Sequence, residues 1–221
     1  SVDADKDEVW ISYGQWRMDG RGGYKEGVSG VTSLAPTTGK VRHHELMGTT
    51  GPKGVFAEPV FKLLSDGDKV WVVHGRSVTI LPKRSGAIEY IDASAVPGLK
   101  QMDFRTTAAI LADKNDVLIS GGGVWGGGGL LMYDKATSQW QVQSDSFTFP
   151  MARCGDLLWV GSSYDVPNAS NFVIKYLRDP SRDWQSALYY QKGFMTSMAG
   201  DADGLWIGTT AIIMRFNHKT K

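Results

Sequence analysis

A chain of 221 residues with 24 Lys plus Arg against 23 Asp plus Glu, net charge +1, has no block of like charge, which excludes the electrostatic footprint of a nucleic-acid binder or of a protein drawn to anionic membrane. The single cysteine, Cys154, excludes an internal disulfide and a thiolate metal site and reads as a small buried hydrophobe. No run of about 18 apolar residues is present to form a membrane-spanning helix, and a start on Ser1 without a basic or apolar leader reads as a processed or excised piece.

In chain order, "SVDADKDEVW" begins at the tail of one strand, turns over "DADKDE" (3–8) and enters a second strand at Val9 and Trp10. Asp3, Asp5 and Asp7 alternate as in a calcium loop, but Glu8 stands at the sixth place, which needs glycine, and Gly14 at the twelfth, which needs Glu. The segment is therefore assigned as a turn. The glycine-rich stretch 13–30, "YGQWRMDGRGGYKEGVSG", is expected to be a loop. His43 and His44 fall in a following strand, where successive side chains point to opposite faces and do not share a metal.

A second unit reads "VFKLLS" (60–65), a turn at Asp66-Gly67-Asp68, "KVWVV" (69–73), "SVTILP" (77–82), a turn over 83–86 and "AIEYID" (87–92). A third runs "TTAAILA", "DVLIS", "GLLMYD" and "WQVQS"; a fourth runs "PMARCG", "LLWVG", "FVIKYL" and "WQSALYY"; a fifth ends on "DADGLWIGTT" and "RFNHKTK". Asp, Pro, Ser and Gly between these runs favour tight reversals.

The second strand of each unit places Trp10, Trp71, Leu118, Trp159 and Trp206 in one slot, at steps of 61, 47, 41 and 47 residues. Four short strands repeated at that period, without helical periodicity, predict an all-β chain, a β-propeller of four-stranded antiparallel blades with about five repeats. The slot residue is expected to pack between blades, and the strand around it is apolar on both faces because neighbouring blades cover both. The repeats lie near 1–45, 58–92, 106–143, 149–190 and 194–221, in a single domain over 1–221. The first lacks most of its opening strand and the last its closing strand. The chain thus reads as an incomplete part of a larger propeller, with a five-bladed ring of two trimmed blades as the alternative. Open strand edges would favour self-association.

The final stretch, "DADGLWIGTTAIIMRFNHKTK", resembles the two-component-regulator type of propeller repeat, with its Asp-rich turn and the run Gly-Leu-Trp-Ile-Gly-Thr at 204–209. Other copies are looser: Val replaces Leu at positions 9 and 70, and Leu118 replaces the Trp. The resemblance implies a propeller of the kind found in extracytoplasmic (periplasmic or secreted) sensory or glycan-related proteins. It brings no catalytic residue and no cofactor.

Strand direction alternates, so the connections between second and third strands emerge on one face together with those between blades. The former vary sharply in length, and variable loops on a constant scaffold are where recognition concentrates. They carry Trp16, Arg17, Tyr24, Lys25, Trp125, Tyr164 and Asp165, and an inter-blade segment adds Arg105. Aromatic rings beside polar groups suit a glycan, peptide or protein partner; the alternative is that these loops only cap the blades.

No Gly-x-Ser-x-Gly or His-Glu-x-x-His motif occurs, and "GGGVWGGGG" is not followed by the Lys-Ser/Thr of a phosphate cradle. No catalytic residue, metal or cofactor is assigned. The expected function is a non-catalytic binding or sensory module. The alternatives are a propeller lyase or glycan-active enzyme using His74, Asp103, Arg105 and Asp165, and a structural scaffold.

Overall fold

The computed structural model describes residues 1–18, 24–46, 60, 62–75, 77–92, 95–97, 107–122, 128–144, 148–163, 172–177, 185–190, 195–201 and 204–217. The predicted Asp103, Arg105, Trp125, Tyr164 and Asp165 lie outside these. The described residues are all-β, without an α-helix, and form two compact units, 1–95 and 96–221.

The first unit holds two four-stranded antiparallel sheets. Blade 1 comprises β1 (Val2–Ala4), β2 (Val9–Met18), β3 (Tyr24–Ala35) and β4 (Lys40–Glu45); blade 2 comprises β5 (Lys62–Asp66), β6 (Lys69–Val73), β7 (Ser77–Pro82) and β8 (Glu89–Asp92). The second unit holds three. Blade 3 is β9 (Thr107–Ala112), β10 (Asp116–Gly122), β11 (Gly128–Asp134) and β12 (Gln139–Ser144); blade 4 is β13 (Thr148–Cys154), β14 (Leu157–Ser163), β15 (Phe172–Leu177) and β16 (Gln185–Tyr190). Blade 5 is described over three strands, β17 (Met195–Gly200), β18 (Leu205–Thr209) and β19 (Ile213–Phe216). Each strand pairs with its sequence neighbours, the meander expected when short strands are joined by tight turns.

The second strand of each blade is the packing element. β10 is buried along its whole length and β6 along all but its first residue. Side chains alternate, so one strand presents two faces, and the blades use them in a fixed sense. Trp10 of blade 1 packs with Leu63, Val70, Val72 and Leu81 of blade 2. Leu118 and Met132 of blade 3 pack with Met151, Leu158 and Val160 of blade 4. Trp159 of blade 4 packs with Leu205 and Ile207 of blade 5, and Phe216 meets its ring edge-on at 5.4 Å.

In each of these seams the slot residue of one blade sits against the residues that flank the slot in the next. Val70 and Val72 flank Trp71, Leu158 and Val160 flank Trp159, and Leu205 and Ile207 flank Trp206. A Cβ on Gly200 would lie 1.8 Å from the Arg153 carbonyl oxygen, so glycine lets blades 4 and 5 approach backbone to backbone. Cys154 is buried in this seam, and its thiol reaches the Asp201 carbonyl at 3.1 Å.

Two expectations need correction. Of the stretch 13–30 expected to be a loop, residues 13–18 and 24–30 are strand: β2 and β3 pair from Val9–Leu34 out to Met18–Tyr24, with a bulge near Arg17. Two of the glycines that suggested a loop stand opposite aromatic residues, Gly30 against Tyr13 and Gly27 against Trp16. The Tyr13 phenol occupies the space that a Gly30 Cβ would fill, 2.3 Å from its oxygen. An aromatic ring laid over a strand glycine stabilises the ladder that glycine alone would weaken.

The turns between first and second strands are of two kinds. Blades 1, 3 and 5 use four-residue turns that open on Asp5, Asp113 and Asp201, whereas blades 2 and 4 use two-residue turns with Gly67 and Gly155 at positive φ. Finally, Trp206 is not a buried wedge. It is 43 % exposed, whereas Trp10 and Trp159 are 0 % and 2 % exposed.

Trp159→Ala is expected to cost about 3–5 kcal/mol, the range for removing a buried aromatic. Trp206→Ala should cost about 1 kcal/mol or less because its site is already wet. Urea denaturation of both variants measures the difference.

Candidate functional site

The recurrent polar feature is the four-residue turn. In blade 1 the Asp5 N–H donates to the Glu8 carbonyl at 3.0 Å, and Asp5 Oδ1 accepts the N–H groups of Asp7 and Glu8, each at 2.8 Å. Asp113 does the same for Asn115 and Asp116 at 2.7 and 2.9 Å. Asp201 accepts the Gly204 N–H at 2.7 Å. Short carboxylates suit this task because one oxygen reaches backbone donors two and three residues ahead.

The second oxygen is left for other donors. Asp5 Oδ2 accepts Lys83 Nζ at 2.5 Å and Ser65 Oγ at 2.6 Å, both from blade 2. Asp3 accepts the Ser65 N–H at 2.5 Å, while Arg42 pairs with Glu8 and donates to the Lys83 carbonyl at 3.1 Å. In the second unit Arg153 of blade 4 spans Asp113 at 2.5 Å and Asp116 at 2.9 Å, both of blade 3. Asp201 instead takes its own blade: Trp206 Nε1 donates at 2.9 Å, and Arg215 stands at 3.7 Å and over the Trp206 ring at 5.3 Å.

In the first unit the network lines an open depression of about 1030 Å³ whose walls include Asp5, Glu8, Arg42, Asp68, Lys83 and Arg84. Its electrostatics are those of a latch. Burial alone would raise the Asp5 carboxyl, but hydrogen bonds from Lys83, Ser65 and the Asp7 and Glu8 N–H groups hold it well below the usual carboxylate range. Asp113 is lowered in the same way, against burial, by the Asp116 and Asn115 N–H groups and by Arg153 and Lys135. Asp116 goes the other way: burial, reinforced by the Asp113 charge, raises it despite Arg153. His44, tilted against Trp10 with ring centroids 5.7 Å apart, is lowered by burial and by Arg42. The carboxylates of Asp5, Glu8, Asp113 and Asp116 are paired with Lys83, Arg42 and Arg153, and among the described residues no group of three His, Cys, Asp or Glu is placed to hold a metal ion.

Of the residues predicted to bind a partner, Trp16 and Arg17 lie on β2 and Tyr24 and Lys25 on β3. The structure brings these four together at the end of one hairpin, with Trp16 opposite Gly27, Arg17 opposite Glu26 and Met18 opposite Tyr24. His74, named for the enzymatic alternative, is buried, with its Nε2 2.9 Å from Thr79 Oγ1. It is a packed histidine within blade 2. The sequence reading missed Arg42, Lys83 and Arg153. Their partners are 34, 78 and 40 residues away or more loosely spaced than any motif, so no local pattern marks them.

No family model matches the chain, and no curated protein sequence matches it. Solved structures do. The extracellular domain of a protein assigned as a one-component system from B. thetaiotaomicron superposes with a TM-score of 0.61 at 13 % identity, covering 100 % of this chain and 32 % of that one. The acylaminoacyl peptidase of Pyrococcus horikoshii gives 0.60 at 8 %, covering 100 % and 38 %. The β-propeller domain of the Trilobed protease from Pyrococcus furiosus, which has an open velcro topology, gives 0.56 at 10 %, covering 97 % and 70 %. The likeness is to β-propellers. At these identities it shows the fold alone, and the chain spans about a third of the first two structures.

Asp5→Asn should destabilise the protein by about 1–2 kcal/mol at neutral pH: the amide oxygen can still accept the turn N–H groups, but the ion pair with Lys83 is lost and an N–H donor replaces the Oδ2 that accepts from Lys83 and Ser65. A carboxyl depressed in the folded state contributes stability above its unfolded pKa of about 3.9 and loses it as pH falls further. The difference between variant and parent should therefore shrink below about pH 4, as measured by denaturant titration across pH. In the second unit, a raised carboxyl opposes folding when ionised. Asp116→Asn should thus be near neutral in thermal unfolding at pH 7, while Asp113→Ala lowers the midpoint clearly.

Proposed function

We propose that the chain, as one β-propeller domain, is a non-catalytic binding or sensory module. It recognises a glycan, a peptide or a partner protein through the face that carries the connections between second and third strands and between blades. The observation that carries this reading is the blade 1 hairpin. β2 and β3 are 10 and 12 residues long, whereas the described second and third strands of the other blades are four to seven. The extra length bears Trp16, Arg17, Tyr24 and Lys25, a set that pairs ring surface with charge and suits sugar rings or peptide groups.

Trp125, Tyr164, Asp165 and Arg105 belong to the same proposed face by their position in the repeats. The likeness to an extracellular domain of a one-component system supports an extracytoplasmic setting and a sensing role. No helix among the described residues is long and apolar enough to cross a membrane.

Glycan and peptide arrays probed with the labelled chain test the proposal. A ligand found in this way should bind the Trp16→Ala/Tyr24→Ala variant at least tenfold more weakly, about 1.4 kcal/mol, while the circular dichroism of the fold is unchanged. Undiminished binding by that variant and by Trp125→Ala/Tyr164→Ala would place recognition elsewhere and overturn the assignment.

A further inference from the structure

The seam between blades 1 and 2 holds an ionisable ring on its apolar side. Trp10 pairs with Ser33, Val31 lies two residues from Ser33 on the same face, and Val31 pairs with His44 of β4. This is the face on which Trp10 and Val31 pack with Leu63, Val70, Val72 and Leu81 of blade 2. The His44 and Trp10 ring centroids are 5.7 Å apart, and His44 Nε2 is buried without a hydrogen-bond partner among the described residues. Across the same third-strand position, blades 2 and 4 place Ile91 and Leu188. A titratable ring thus stands where these blades use an aliphatic side chain.

We propose that His44 is an acid-sensitive pin of this seam: the neutral ring packs on Trp10 and keeps blades 1 and 2 closed, and a proton taken up by the ring opens them. The surroundings hold no counter-charge for that proton. On β4, Arg42 shares the face of His44, and His43 points the other way, with its Nδ1 2.9 Å from Thr32 Oγ1. Glu8 is taken by Arg42 and Asp5 by Lys83 of blade 2. Asp3, opposite Trp10 on β1, lies three strands away and accepts the Ser65 N–H. Ser33 Oγ, on the same face, makes no bond to His44.

From blade 2 the seam receives the apolar Leu63, Val70, Val72 and Leu81. Thr79, in register with Val72, meets His74 Nε2 at 2.9 Å, and β8 adds Tyr90 beside Thr79 and Asp92 beside Ser77. The Trp10 face accepts a cation only weakly beside the cost of an unpaired buried charge. Burial, then Arg42 and His43, hold His44 below the ordinary histidine range against the pull of Glu8. A solvated histidine takes up its proton near pH 6.5. With the closed-seam value depressed, the group contributes stability above that pH and loses it as pH falls through about 6.5 toward the lower value, the opening constant rising by at most about tenfold per pH unit.

Hydrogen exchange of the full chain at pH 7 and pH 5, read by mass spectrometry and corrected for the intrinsic effect of pH, is the test. In the parent, protection of peptides covering 9–13 and 62–73 should fall about threefold or more between the two conditions. It should stay constant in His44→Phe, which keeps a ring against Trp10 and takes no proton. His44→Leu, the kind of side chain that blades 2 and 4 place here, replaces it if circular dichroism at pH 7 shows that the phenylalanine variant is unfolded. Independently of any variant, the carbon-bound ring protons of His44 in the parent should titrate by NMR below the value of about 6.5 for a solvated histidine. Unchanged protection in the parent overturns the proposal. So does an equal fall in a folded His44 variant, or a His44 midpoint at or above the solvated value.

Discussion

The constraint on which the blades depend is the two-sidedness of a single strand. A blade that lies between two others, as blade 4 does, must fill two seams at once, and because side chains alternate it can do so only by presenting a large residue one way and its two neighbours the other. Trp10, Leu118 and Trp159 satisfy this from the slot; Val70 with Val72, Leu158 with Val160, and Leu205 with Ile207 satisfy it from the flanks. A one-residue slip in register would exchange the two sets and leave both seams ill-fitted. The tight four-residue and glycine turns ahead of these strands therefore set packing as well as reversal.

Polar groups reinforce the same seams from their rims. An aspartate that opens a turn has two oxygens; one closes the local turn, and the other is free for a cation from the adjoining blade. Local and tertiary structure are in this way coupled through one side chain. Lys83 and Arg153 come from different positions, a turn and a strand, yet reach equivalent carboxylates. Asp201 shows the variation on the theme, with its second oxygen bound inside its own blade. The proposed recognition hairpin lies on the other face, away from this latch, so the residues that hold blades together are separate from those offered to a partner.

Much of this architecture is legible in the residues. The turn, the apolar strand and the slot tryptophan recur because each blade meets the same packing problem, and the strands of blades 2, 3 and 4 start and end within a few residues of where their composition places them. The extended hairpin was not legible. Gly14, Gly20, Gly22, Gly23, Gly27 and Gly30 outweigh the aromatic residues when each is read by its own propensity. Their pairing across the strand, Tyr13 with Gly30 and Trp16 with Gly27, is visible only once the ladder is known. Trp16, Arg17, Tyr24 and Lys25 were nominated as neighbours in a loop and are neighbours on strands, which gives them a firmer base.

By itself the sequence determined the repeat, the strand order within each blade, and the identity of the slot residues. These follow from local alternation and turn chemistry, which short stretches specify. The tertiary structure decided which slot residues are covered and which cations close the turn carboxylates. Trp206 and Trp159 have nearly the same local sequence, Leu-Trp-Ile-Gly and Leu-Trp-Val-Gly, yet one is half-exposed and the other is sealed. Burial belongs to the blade that packs against a residue, and a residue's own neighbours in the chain carry no record of it.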